Sequence, residues 1–148
     1  MKISPEVRNN RLLFYGAVAQ MVYASIEFVD SLCIPLIALD LMPNWYLIVP
    51  LVNPELATLL ANEPFWFIPI FWFFTAFRLA SGYWILQNKV KGFWMAIYVS
   101  GVTFVAAFYL LPFAVIDIIG TGIVVFLLFM GYFKDAPIVK TENEERSK

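Results

Sequence analysis

Histidine is absent from this sequence, and cysteine occurs once, at Cys33. The first absence removes the imidazole that most often serves as general base and as a ligand to haem, copper or zinc. The second removes any CxxC redox pair and any disulfide within the chain. A zinc or iron–sulfur centre would need ligands from another chain, and no cofactor is expected. Cys33 reads as a small buried apolar residue rather than a reactive thiol. Charge is scarce as well, at 14% of residues, against roughly a quarter in a soluble domain. The formal net charge of −1 gives no reason to expect a nucleic-acid partner.

Apolar side chains fill the space that charge leaves. Hydrophobic residues make up 61% of the 148, and aromatics 18%, with 15 Phe among them. One small core cannot bury that much apolar surface, so the surplus must face lipid. Hydropathy and proline positions predict an all-α integral membrane protein, a four-helix bundle with spans at about 12–39, 65–86, 92–111 and 113–133. The first is longer than the roughly 20 residues a hydrocarbon core requires, so tilt or extension beyond the core is expected. Pro35 near its end would free the Ser31 carbonyl beside Asp30.

Between spans one and two, Pro43, Pro50, Pro54 and Pro64 rule out a continuous helix. Asn53-Pro54-Glu55 before a Leu/Ala run predicts a short helix over about 54–62, inside an interfacial or re-entrant loop. Ser4-Pro5-Glu6 predicts a helix start with Ser4 as N-cap, leading straight into span one. No small-x-small cleavage site ends the first apolar run, so a cleaved signal is not expected. The charged stretch 134–148 is expected to be solvated or held by a partner.

Basic residues orient these spans. Of ten Lys and Arg, nine (Lys2, Arg8, Arg11, Lys89, Lys91, Lys134, Lys140, Arg146 and Lys148) fall on one side of the bundle. By the positive-inside rule that side, with both termini, is expected to be cytoplasmic. The tenth, Arg78, lies within span two. Ala76, Ala80, Ser81 and Gly82 near it suggest a face for close helix packing.

Span one carries the chemistry. Gln20, Tyr23, Glu27 and Asp30 recur at spacings of three and four, which on a helix makes one polar stripe. Ionisable groups within a span cost several kcal/mol or more by most scales and face a partner or a watery cavity. At about 1.5 Å of rise per residue, Gln20 and Arg78 each lie roughly 12 Å from the cytoplasmic side. Glu27, Asp30 and Asp117 fall in the outer half, with Thr121 one turn below Asp117. Two pairings compete for Arg78, with Gln20 or with Glu27, and either would set helix register. Convergence of Glu27, Asp30 and Asp117 would instead make a candidate site for a hard cation or a proton, because three carboxylates together need neutralising.

No nucleophile, phosphate loop or metal cluster is legible, so enzymatic activity is not expected. No motif is specific to a family. The expectation is a non-catalytic accessory subunit of a larger membrane complex, such as a respiratory or oxygenase assembly, whose partners are lipid and other integral membrane subunits. The alternative is a small oligomeric cation- or proton-coupled transporter or channel subunit using the three acids.

Overall fold

A computed structural model describes residues 3–43, 54–111 and 114–134. These form helices α1 (Pro5–Asn9), α2 (Arg11–Ala38), α3 (Pro54–Asn62), α4 (Phe67–Leu86), α5 (Val90–Tyr109) and α6 (Val115–Lys134), with a 3₁₀ turn at Pro64–Trp66 before α4. No β-strand occurs among the described residues. Residues 44–53 of the expected loop between the first two spans, and the tail after Lys134, lie outside the described residues.

Three helices, α2, α5 and α6, are long and apolar enough to cross a membrane. The protein is therefore helical and membrane-embedded. Four such spans were expected, and the fourth stretch, α4, has the required 20 residues but is not among the helices whose hydropathy suffices for a span. Its length is diluted by Arg78, Ser81, Gly82 and amphipathic rings such as Tyr83 and Trp84, whose polar atoms offset the Phe and Ile around them.

Packing follows chain order and then closes on itself: α2 lies against α4 and α6, α4 against α5, and α5 against α6. The apolar core is made by residues of α1, α2, α4, α5 and α6, including Val7, Leu13, Ile85, Phe93, Val124 and Leu128. Outside, large apolar side chains stand open, with Ile116 76% and Phe126 58% exposed. In water such a surface would drive aggregation; against lipid tails it carries no penalty.

At one end the chain is fastened by α1. Pro5 and Glu6 open it, and Ser4 occupies the N-cap position, its side chain making no bond to the helix backbone. The Ser4 hydroxyl instead donates to the Glu6 carboxylate. Rather than running into α2, the chain breaks at Asn10. Asn10 then caps α2, its Oδ1 accepting from the Leu13 N–H at 3.1 Å, and its Nδ2 donates to the Gly131 carbonyl on α6 at 2.7 Å. Val7 is fully buried in the core, and the Ser4 N–H donates to the Leu86 carbonyl at the end of α4.

At the other end, α2 continues through Pro35 to Ala38. Asp40 then takes a left-handed φ of 56° while the N–H groups of Leu41 and Met42 return to the Leu36 carbonyl, which terminates the helix.

Gly82 and Gly131 are among the places where α2 meets a neighbouring backbone closely. A Cβ on Gly82 would lie 3.0 Å from the Ala17 carbonyl oxygen and 2.6 Å from the flexible Met21 side chain. One on Gly131 would lie 2.5 Å from the backbone nitrogen of Leu13, which cannot move without displacing α2. Ala76, by contrast, is exposed and takes no part in that close face. Gly131→Ala should therefore lower thermal stability in detergent by about 1–3 kcal/mol through overpacking. Gly122→Ala, where a Cβ meets nothing within 4 Å, should be neutral or slightly stabilising, and the difference in Tm between the two variants checks this.

Candidate functional site

Arg78 comes from the middle of α4, where its helical position turns it away from the surface and leaves it completely buried. A guanidinium presents five N–H donors in a planar fork, so one such group can address several helices at once. Its Nε lies 2.9 Å from Oε2 of Glu27 on α2. This is a charge contact rather than an aligned hydrogen bond, because the N–H does not point along it. Nη1 donates to Gln20 Oε1 at 3.3 Å, and Nη2 donates to Thr103 Oγ1 on α5 at 2.6 Å. The guanidinium carbon also stands 4.4 Å from the centroid of the Tyr23 ring, a cation–π contact in a dry setting.

The stripe on α2 therefore faces inward over Gln20, Tyr23 and Glu27, all buried. Gln20 extends the network: its Nε2 donates to Ser81 Oγ at 3.4 Å, and Ser100 Oγ on α5 donates to Gln20 Oε1 at 3.5 Å. Both are long bonds, so Gln20 fits the gap loosely. Tyr23 carries the connection to α6, its hydroxyl donating to Asp117 Oδ1 at 2.5 Å. Hydrogen bonds and one ion pair thus join α2, α4, α5 and α6 through a single cluster centred on Arg78.

The alternatives posed for Arg78 are not exclusive in the structure, which puts the guanidinium on Glu27 and Gln20 together. Of the three acids, Glu27 faces Arg78, Asp117 is half-buried against Tyr23, and Asp30 stays exposed on α2. Asp117 lies within electrostatic reach of both Glu27 and Asp30. Among the described residues, no three acidic or cysteine side chains stand close enough together to hold a metal ion. Thr121 is fully buried, and its hydroxyl has no hydrogen-bond partner. Cys33 is a free thiol, half-buried.

Three contributors escaped sequence reasoning. Nothing in the sequence pattern around it singles out Thr103, which takes the shortest hydrogen bond from Arg78. The Tyr23–Asp117 bond links residues 94 apart, and no local pattern announces it. Trp72 Nε1 donates to Ser31 Oγ at 3.1 Å, which ties the C-terminal part of α2 to α4. A usable signal did exist for Thr103: an Arg in a span needs acceptors, and hydroxyls at similar depth on neighbouring spans are the first place to look.

Compared with protein-family models, with curated proteins and with solved structures, the chain matches none.

The charge contact sets an order of costs. Arg78→Ala leaves the Glu27 carboxylate buried without its cation and should cost about 3–5 kcal/mol of thermal stability in detergent. Arg78→Met with Glu27→Leu removes both charges and should recover most of that loss, since apolar replacement of a whole buried pair is often nearly neutral. Equal melting temperatures for Arg78→Ala and the double variant would show that Glu27 does not depend on Arg78.

Proposed function

We propose that this chain is a non-catalytic structural subunit of a larger integral membrane complex, built as a four-span bundle with both termini on the cytoplasmic side. The observation that carries this reading is the closure of the polar cluster. Arg78 is wholly buried and contacts Gln20, Tyr23, Glu27 and Thr103, while Tyr23 engages Asp117. Interior side chains able to do chemistry hold helices to one another, which is what a structural bundle requires of them. The packing of α4 against α2 and α5 supports counting it as a span despite its lower hydropathy.

The outer surface supports association. A shallow apolar groove of about 630 Å³ runs along α5 between Tyr98 and Tyr109, lined also by Ile97, Gly101 and Val105. A Cβ on Gly101 would meet nothing within 4 Å, so its place is open rather than filled from within this chain. Small residues on an outward helix face let a neighbouring span approach closely. Purified from its native membrane in mild detergent, the chain should remain with larger integral membrane proteins. A homogeneous homo-oligomer that binds or conducts cations would overturn the proposal.

One observation favours a second reading, a small cation- or proton-coupled transporter subunit. Glu27, Asp30 and Asp117 lie within electrostatic reach of one another through Asp117, with Arg78 the only basic side chain in the cluster, and Asp30 is open to the surroundings. Under this reading, Glu27→Gln and Asp30→Asn should each abolish cation-dependent flux in proteoliposomes. Flux unchanged by both substitutions would remove it.

A further inference from the structure

Charge divides the two ends of the molecule unevenly. At the end held by α1, the described residues present Arg8, Arg11, Lys89 and Lys91, with Glu6 as their acidic neighbour. Two hydrogen bonds bring these cations to one end: Ser4 N–H to the Leu86 carbonyl sets α1 beside the α4–α5 turn, and Asn10 Nδ2 to the Gly131 carbonyl sets the start of α2 beside the end of α6. Glu6 is engaged by the Ser4 hydroxyl. Arg8, Arg11 and Lys91 are exposed and Lys89 is half-buried. At the opposite end the charged side chains among the described residues are Asp40, Glu55 and Glu63, all exposed, with no Lys or Arg.

Aromatic rings fix where the basic end sits in a bilayer. Tyr15, Trp94 and Tyr83 lie within about one and a half turns of the helix ends there, 56%, 56% and 39% exposed, as rings at a membrane–water interface do. Lys91 Nζ stands 4.9 Å from the centroid of the Trp84 ring, which puts an ammonium at the level of an interfacial indole. That level is where lipid phosphates lie. We propose that this end is a binding surface for anionic phospholipid headgroups, formed by Arg8 and Arg11 of the α1–α2 corner together with Lys89 and Lys91 of the α4–α5 turn.

The argument is one of charge complementarity and depth. Basic side chains next to a span attract anionic headgroups with a strength that falls off within a Debye length, so the attraction should be salt-sensitive. Arginine adds a planar fork that matches phosphate oxygens. The opposite, acidic end should repel the same lipids.

The test uses the full chain reconstituted in phosphatidylcholine bilayers, with spin-labelled phosphatidylglycerol or phosphatidylcholine of identical acyl chains as the probe. The labelled anionic lipid should associate about fivefold more strongly than the zwitterionic one, the factor corresponding to one fully engaged basic side chain. The preference should shrink at high salt. The triple variant Arg8→Gln/Arg11→Gln/Lys89→Gln, which leaves Lys91 on Trp84, should lose most of it. Asp40→Asn/Glu63→Gln, which changes charge at the opposite end only, should keep it. Equal association of the two probes with the native chain would overturn the proposal, as would a preference that survives the triple variant. Helicity and melting temperature of the triple variant should match the native chain, since all three side chains project outward or lie in a turn. Should it fail to fold, Arg8→Gln/Arg11→Gln alone decides the matter: a preference at native strength in that variant would count against the site.

Discussion

Taking a guanidinium out of water costs several kcal/mol unless its donors meet acceptors, and no single neighbouring helix supplies enough of them for Arg78. Glu27 and Gln20 come from α2, Thr103 comes from α5, and the Tyr23 ring covers part of the remaining face. Each of those helices must then stand at one particular height and rotation relative to α4. In a lipid-facing bundle apolar contacts alone discriminate poorly between registers, because lipid tails are as apolar as the side chains they replace. A buried, multiply bonded charge does discriminate. Slipping α2 by one turn, about 5.4 Å, would carry Glu27 out of its 2.9 Å contact with Arg78.

The rest of the packing agrees with the register that Arg78 demands. Gly82 on α4 lets Ala17 and Met21 of α2 come close one turn beyond the charge contact. On the other side, Gly131 allows Leu13 to meet α6, and the Tyr23–Asp117 bond sets the same pair of helices near its far end. Close glycine contacts thus hold α2 over Leu13–Met21, and specific polar contacts hold it over Gln20–Glu27.

Much of the helical layout was legible because hydropathy and proline act locally. The bounds of α2 and α3 follow from an unbroken apolar run and from an Asn-Pro-Glu start, both readable without knowing the neighbours. The break at Asn10 was readable too, since Asn before an apolar run is a common cap, but the longer run hid it. Distinguishing α4 from the other long helices was harder. Its Phe content suggests a span, while Arg78 and the ring polar atoms pull its hydropathy below what a span requires. Which residues meet was the least legible part. Spacing on α2 grouped Gln20, Tyr23, Glu27 and Asp30 on one stripe, yet the structure buries the first three and leaves Asp30 exposed. A helix face is decided by its neighbours' positions as well as by its own periodicity, and those positions are set by contacts such as Tyr23–Asp117 that span most of the chain.

The Asn10–Gly131 hydrogen bond joins residues 121 apart. Asn10 can close the first turn of α2 through Leu13 as soon as that segment exists, but its amide has to wait for α6 before it finds the Gly131 carbonyl. In a chain that emerges from the ribosome in order, the fastening of the first long helix is therefore completed only when the last described one has arrived. Assembly then has a built-in finishing step, at which a chain stopped short of α6 would retain a polar amide with no helix to receive it.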